Sequence, residues 1–92
     1  MTTIYQLPLS VDHGNVEQVL VAAVSQLSSL PAQSTLVVDC QALSAFDSSA
    51  LSALLAIKRR ASEKSIQIQL QAIPDKLASL AKVYGLAELV LA

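Results

Sequence analysis

The 92-residue chain has a net charge of −1 and a pI near 5.6, which argues against the wide basic face that nucleic acid demands. One cysteine and one histidine exclude an intrachain disulfide and a structural zinc site. Hydrophobic residues make up 53% of the chain, aromatic residues 3% and charged residues 14%, so the core must come from Leu, Val, Ile and Ala, and apolar side chains are expected to remain on the surface as partner sites.

The length fits one compact domain, residues 1–92. No basic segment followed by an apolar stretch opens the chain, and the apolar run Val19 to Val24 is too short to cross a bilayer. The expectation is a cytoplasmic protein.

Thr3 to Val11 alternates apolar and polar residues and reads as a strand. Pro8 has no N–H to donate, which places this strand at an edge or puts a bulge in it. Asp12-His13-Gly14-Asn15 is a turn cluster, with Asn15 as a helix cap and Gln18 placed to close a capping box. From Val16 to Leu30, apolar residues recur at spacings of three and four, and Pro31 ends the helix. Ser34 to Cys40 contains the continuous run Leu36-Val37-Val38, a strand buried on both faces, and a parallel sheet follows from its helical crossovers.

Gln41 to Phe46 reads as a loop with Leu43 and Phe46 packed under it. Asp47 or Ser48 then caps a helix from Ser49 to Ser62. Ser65 to Leu70 is a period-two strand, with Ile66, Ile68 and Leu70 on one face. Pro74 suits the start of a helix, Leu77, Leu80, Ala81 and Tyr84 form its apolar stripe, and Gly85 caps its end. Glu88 to Ala92 reads as a short strand or a helix end. The order is β-α-β-α-β-α, an α/β chain with a mostly parallel sheet.

The informative segment is Leu36 to Leu55. A buried strand delivers Asp39, and Asp47-Ser48-Ser49 opens a helix whose first turn has unpaired N–H groups and partial positive charge. Asp47 can cap those donors, and a phosphate on Ser48 would be held there too. The plain alternative is a cap and nothing more. The apolar positions of this helix cover more than the roughly 100° stripe that a surface helix needs. Leu51 and Leu55 are therefore expected at the side of the stripe, where a second surface would bury them.

The series Asp39 … Asp47-Ser48-Ser49-Ala50-Leu51 resembles the signature of STAS domains: a strand ending in Asp, a short loop, then Asp-Ser-Ser-Gly-Leu opening a helix. The stretches Asp75-Lys76-Leu77 and Leu80-Ala81-Lys82-Val83-Tyr84-Gly85-Leu86 are similar, more narrowly, to the MlaB-like branch, the cytoplasmic STAS subunits of Mla phospholipid-transporting ABC systems. The resemblance covers residues 5 to 91. It implies the STAS-like (SpoIIAA-like) fold, with a small mostly parallel sheet and three helices, and a non-enzymatic protein that binds partners. In the MlaB-like branch that partner is the ABC transporter ATPase subunit, which tethers the domain to the inner membrane. In partner-switching members the serine after the signature Asp, here Ser48, is phosphorylated and the partner is a serine kinase anti-sigma factor, which makes the STAS domain an anti-sigma factor antagonist. The resemblance thus marks Asp47, Ser48, Ser49 and Leu51 as partner-facing. Tyr84 matches an aromatic position near the partner surface, while its place in the apolar stripe allows a core ring instead.

Two departures stand out. The N-terminus is short for the usual β-hairpin, which leaves a sheet edge missing or completed by another chain, a homodimer included. Ala50 also stands where the signature has Gly. Asp39, Cys40 and His13 are the remaining catalytic candidates, but one His in a distant turn and two glycines give neither a triad nor a phosphate loop. No cofactor or metal is expected. Lys58, Arg59 and Arg60 read as a solvated helix face.

Overall fold

Leu36, Val37 and Val38 are all buried because their strand, β3 (Thr35–Asp39), runs between two others. A computed structural model of the chain describes residues 2–86. β1 (Thr2–Gln6) and β5 (Gln67–Gln71) flank β3, and both pair with it in parallel. The register places Thr3, Leu36 and Ile68 in one row and Tyr5, Val38 and Leu70 in the next. These rows face the helices, and Leu36 and Val38 are fully buried there. The opposite face carries exposed Thr2, Ile4 and Gln6, and exposed Gln67, Gln69 and Gln71.

Three helices supply the other half of the core. α1 (Val16–Ser28) buries Val19, Ala23 and Leu27 at helical spacing. α2 (Ser49–Glu63) buries Ala50, Leu51, Ala53, Leu54, Ile57 and Ala61. It packs against α1 on one side and β5 on the other. α3 (Asp75–Val83) follows Pro74 and buries Leu77 and Ala81. The Lys64 ammonium donates to the Leu27 carbonyl at 2.8 Å, tying the end of α2 to the last turn of α1. Beyond α3, Gly85 adopts φ +72°, the left-handed conformation expected of a helix-ending glycine.

Several expectations need correction. The strand read over Thr3 to Val11 is two strands. β1 ends at Gln6, the Leu7 N–H makes one more bond to Asp39 O at 2.9 Å, and Pro8 interrupts the ladder. After it, β2 (Ser10–Val11) pairs in parallel with β4 (Ala45–Phe46), inside the segment read as a loop. Leu43 is buried and Phe46 packs against the core, as the sequence suggested. Asn15 does not cap α1 with its side chain. Its Oδ1 accepts the Asp12 N–H at 2.9 Å and its Nδ2 donates to Ser10 O at 2.8 Å, so the side chain braces the turn instead. The expected element at Glu88 to Ala92 lies outside the described residues.

Candidate partner-binding site

The β2–β4 ribbon creates the site. Its register, Ser10 against Ala45 and Val11 against Phe46, draws the Asp12–Asn15 turn alongside the start of α2. Leu9 O accepts the N–H groups of Ser44 at 2.8 Å and Ala45 at 3.2 Å, and Val11 O accepts that of Asp47 at 3.3 Å. Two chain segments more than thirty residues apart thus converge on Asp47.

Asp47 is the working cap of α2. Its Oδ1 accepts the Ser49 N–H at 2.8 Å, and its backbone oxygen accepts the Ala50 N–H at 3.1 Å. Ser48 already has helical backbone angles and makes no side-chain cap bond. Its side chain is exposed, whereas Ser49 is half-buried. The second carboxylate oxygen, Oδ2, takes two contacts from His13, the backbone N–H at 3.2 Å and ring Nδ1 at 3.3 Å. The Ser49 N–H is the largest influence on the carboxyl group. With the Ser49 hydroxyl and both His13 contacts, it outweighs the opposing desolvation and holds the Asp47 pKa down to about 2.

This geometry alters the expected chemistry of Ser48. The Ser49 and Ala50 donors are already engaged by Asp47, so a phosphate on Ser48 would not enter a vacant anion site. It would stand beside an ionised carboxylate, and the two negative groups would repel. The site therefore suits a neutral hydroxyl that is covered, or a charged one that drives a partner away.

Leu51 is a correction. Expected at an exposed side of the helix, it is only 2% exposed and belongs to the core. Leu55 is half-buried. The wide apolar arc of α2 is consumed internally, because α1 and the sheet each take one side of it. An exposed apolar side chain, Leu9 at 67%, instead stands just before β2, its backbone oxygen bonded to Ser44 and Ala45. Sequence reading missed it, because an alternating strand was expected to continue through it.

Tyr84 is 57% exposed at the end of α3, beside Val83 at 80%. It is not a core ring. Among the described residues, the bonds to the Asp47 carboxylate come from Ser49 and His13.

Asp39, Cys40 and His13 do not assemble. Asp39 Oδ1 accepts the Gln41 N–H at 3.0 Å and orders the loop that follows β3. Cys40 is fully buried, and burial, followed by the nearby Asp39 charge, pushes its thiol up to about 11. Such a thiol is protonated at neutral pH and a poor nucleophile. The His13 side chain is 91% exposed, and its partner is Asp47. That pairing was not foreseen; the Asp12-His13-Gly14-Asn15 cluster signals a turn, but nothing local in it says what the turn approaches.

A family model described as "Mlab, STAS domain" matches residues 10–91. Among solved structures, a sulfate transporter family protein from Wolinella succinogenes superposes with a TM-score of 0.72 at 13% identity, covering 95% of this chain and 69% of that one. The anti-sigma factor antagonist SpoIIAA in its unphosphorylated form superposes with a TM-score of 0.68 at 21% identity, covering 98% of this chain and 78% of that one. At these identities the likeness is one of fold. No curated protein matches by sequence.

Proposed function

Because this chain belongs to the STAS domain family, its model matching residues 10–91, we propose that it is a non-enzymatic regulatory subunit that binds the ATPase of an Mla-type phospholipid-transporting ABC complex and supports its assembly or activity. The observation that carries the reading is Ser48, an exposed hydroxyl on the capped start of α2. An exposed hydroxyl whose neighbouring carboxylate is already held by hydrogen bonds suits burial against another protein. The MlaB-type description of the matching family model and the sequence around Tyr84 favour an ABC ATPase as that protein. Exposed Val83 and Tyr84 would give it a second contact.

Among the described residues no helix is long and apolar enough to cross a membrane. In the proposed assembly the chain reaches the cytoplasmic face of the inner membrane through its partner. Asp39 and Asp47 act structurally in this reading, one ordering a loop and the other capping a helix, and neither drives a reaction.

A second reading has its own support. Phosphorylation of Ser48 would add a charge of about −1.5 to −2 beside ionised Asp47, enough to expel a partner from a close contact. In that case the chain is an anti-sigma factor antagonist, and its partner a serine kinase anti-sigma factor. Affinity purification of the tagged chain from its native host, followed by mass spectrometry, separates the two. Recovery of an ATPase with a P-loop and a transporter signature supports the first reading. Recovery of a kinase that phosphorylates Ser48 replaces it with the second.

A further inference from the structure

We propose that β1 is a self-pairing edge: two copies of this chain join antiparallel along Thr2–Gln6, about a two-fold axis at Ile4, and the sheet runs on from one molecule into the other. The inference does not depend on which protein covers Ser48.

The backbone comes first. β1 closes one side of the sheet, and among the described residues its neighbour is β3. The Leu7 N–H bonds to Asp39 O in line with that pairing. Backbone groups alternate sides along a strand, so those of Thr3 and Tyr5 also point toward β3, and those of Thr2, Ile4 and Gln6 point outward. Such an edge is a template for another strand unless charge, proline or a bulge blunts it. Thr2-Thr3-Ile4-Tyr5-Gln6 has no charge and no proline, and it pairs with β3 without a bulge. Pro8 lies just past the strand and stops the ladder, which confines an added strand to this short stretch.

Self-complementarity names the occupant. A closed two-fold contact uses the same patch on both molecules. Ile4 is the middle residue of β1. Antiparallel pairing about it sets Ile4 against its own copy and Thr2 against Gln6 at either end. All three outward-facing residues are then satisfied, in about six backbone bonds. Paired side chains share a face, so Ile4, 59% exposed, is covered by its twin.

Charge agrees with a second copy. No charged residue occurs from Gln18 to Val38, a stretch that includes most of α1. α1 lies over β1, where the Tyr5 hydroxyl donates to Val19 O at 3.5 Å. Leu20 and Val24 of α1 share a groove with Arg60 of α2. Helical geometry therefore turns Gln18 and Ala22 to the other side, toward the open edge, and both are exposed and uncharged. Two copies meeting there bring no like charges together. The outer side of β5 differs, because Lys58 lines the groove beside Ile66, Gln67 and Ile68. A two-fold contact on that side would gather two cations at one interface.

Sedimentation of the full chain tests the proposal. The mass should rise with concentration from 9.7 kDa to about twice that value. Ile4→Lys sets two cations directly opposite each other and should raise the dissociation constant at least about tenfold. A wild type that stays at 9.7 kDa even at millimolar concentration overturns the inference, as does a dimer that persists unchanged in Ile4→Lys.

Disulfide trapping reads the register and does not rely on Ile4→Lys folding. In a hydrogen-bonded antiparallel pair the Cα atoms stand about 5.5 Å apart, within disulfide reach. Ile4→Cys should therefore give a linked dimer under mild oxidation. Thr2→Cys alone should not, whereas Thr2→Cys mixed with Gln6→Cys should. The native Cys40 is fully buried and stays silent. Failure of Ile4→Cys to link, or linkage of Thr2→Cys to itself as readily, contradicts pairing about Ile4.

Discussion

Asp47 shows how one side chain sets the behaviour of the site. Its pKa falls from an ordinary 3.8 to about 2, first through the Ser49 N–H and then through the Ser49 hydroxyl and His13. A carboxyl group depressed on folding stabilises the folded state above its unfolded pKa, and that contribution is lost as pH falls through the folded pKa. Urea midpoints of the wild type should therefore decline between about pH 4 and pH 2, and those of Asp47→Asn should be flatter in that window. Identical pH profiles would show that the carboxylate does not hold the cap. Ser34 is the opposite case, a hydroxyl with no gain to show. It is 2% exposed, and its Oγ finds no hydrogen-bond partner among the described residues, while its backbone oxygen accepts the Gln67 N–H. Ser34→Ala should be neutral or stabilising by about 1 kcal/mol, measured by denaturant unfolding, because it removes a buried polar atom and keeps the backbone bond. At this scale the Asp47 cap was legible, since Asp before a helix has a local meaning. The His13–Asp47 pairing was not, because it joins residues 34 apart through a ribbon with no sequence signature.

The elements divide in the same way. The run Leu36-Val37-Val38 announced a strand covered on both sides, and β3 is the centre of the sheet. The pattern from Ile66 to Leu70 announced one apolar face, and Ile68 and Leu70 do face the helices. β2 and β4 have two residues each, too short for any periodicity to register. The error at Leu51 came from counting one neighbour for α2 when there are two. A helix pressed between a sheet and another helix needs a wider apolar arc than one lying on a surface. Leu51→Ala should accordingly cost about 2–5 kcal/mol, the range for a leucine deleted from a packed core, as measured by calorimetric or denaturant unfolding. A cost near zero would return Leu51 to the partner surface. Gly85 closes α3 at φ +72°, with nothing within 4 Å of where a Cβ would stand. Gly85→Ala should therefore show the backbone cost alone, about 1–2 kcal/mol, with no steric addition.

At the scale of the whole molecule, a low charge content foretold apolar residues at the surface but not which ones. The structure places them away from the flanks of α2: Leu9 just before β2, Ile4 on the far sheet face, Val21 on α1, and Val83 with Tyr84 at the end of α3. Family and fold were legible because the Asp-Ser-Ser opening and the β-α order are both local in sequence. The geometry of the candidate site was not, because the β2–β4 pairing assembles it from two distant segments. Under the proposed function, another polypeptide covers the start of α2 while Ser48 is neutral. The most direct test is titration calorimetry of the protein captured from the native host against the wild type and Ser48→Asp, with the melting temperature of each variant measured alongside. A charge buried without a counter-ion is costly, so the account predicts binding weaker by at least about tenfold for Ser48→Asp at an unchanged melting temperature. Equal affinity for the two proteins would contradict it.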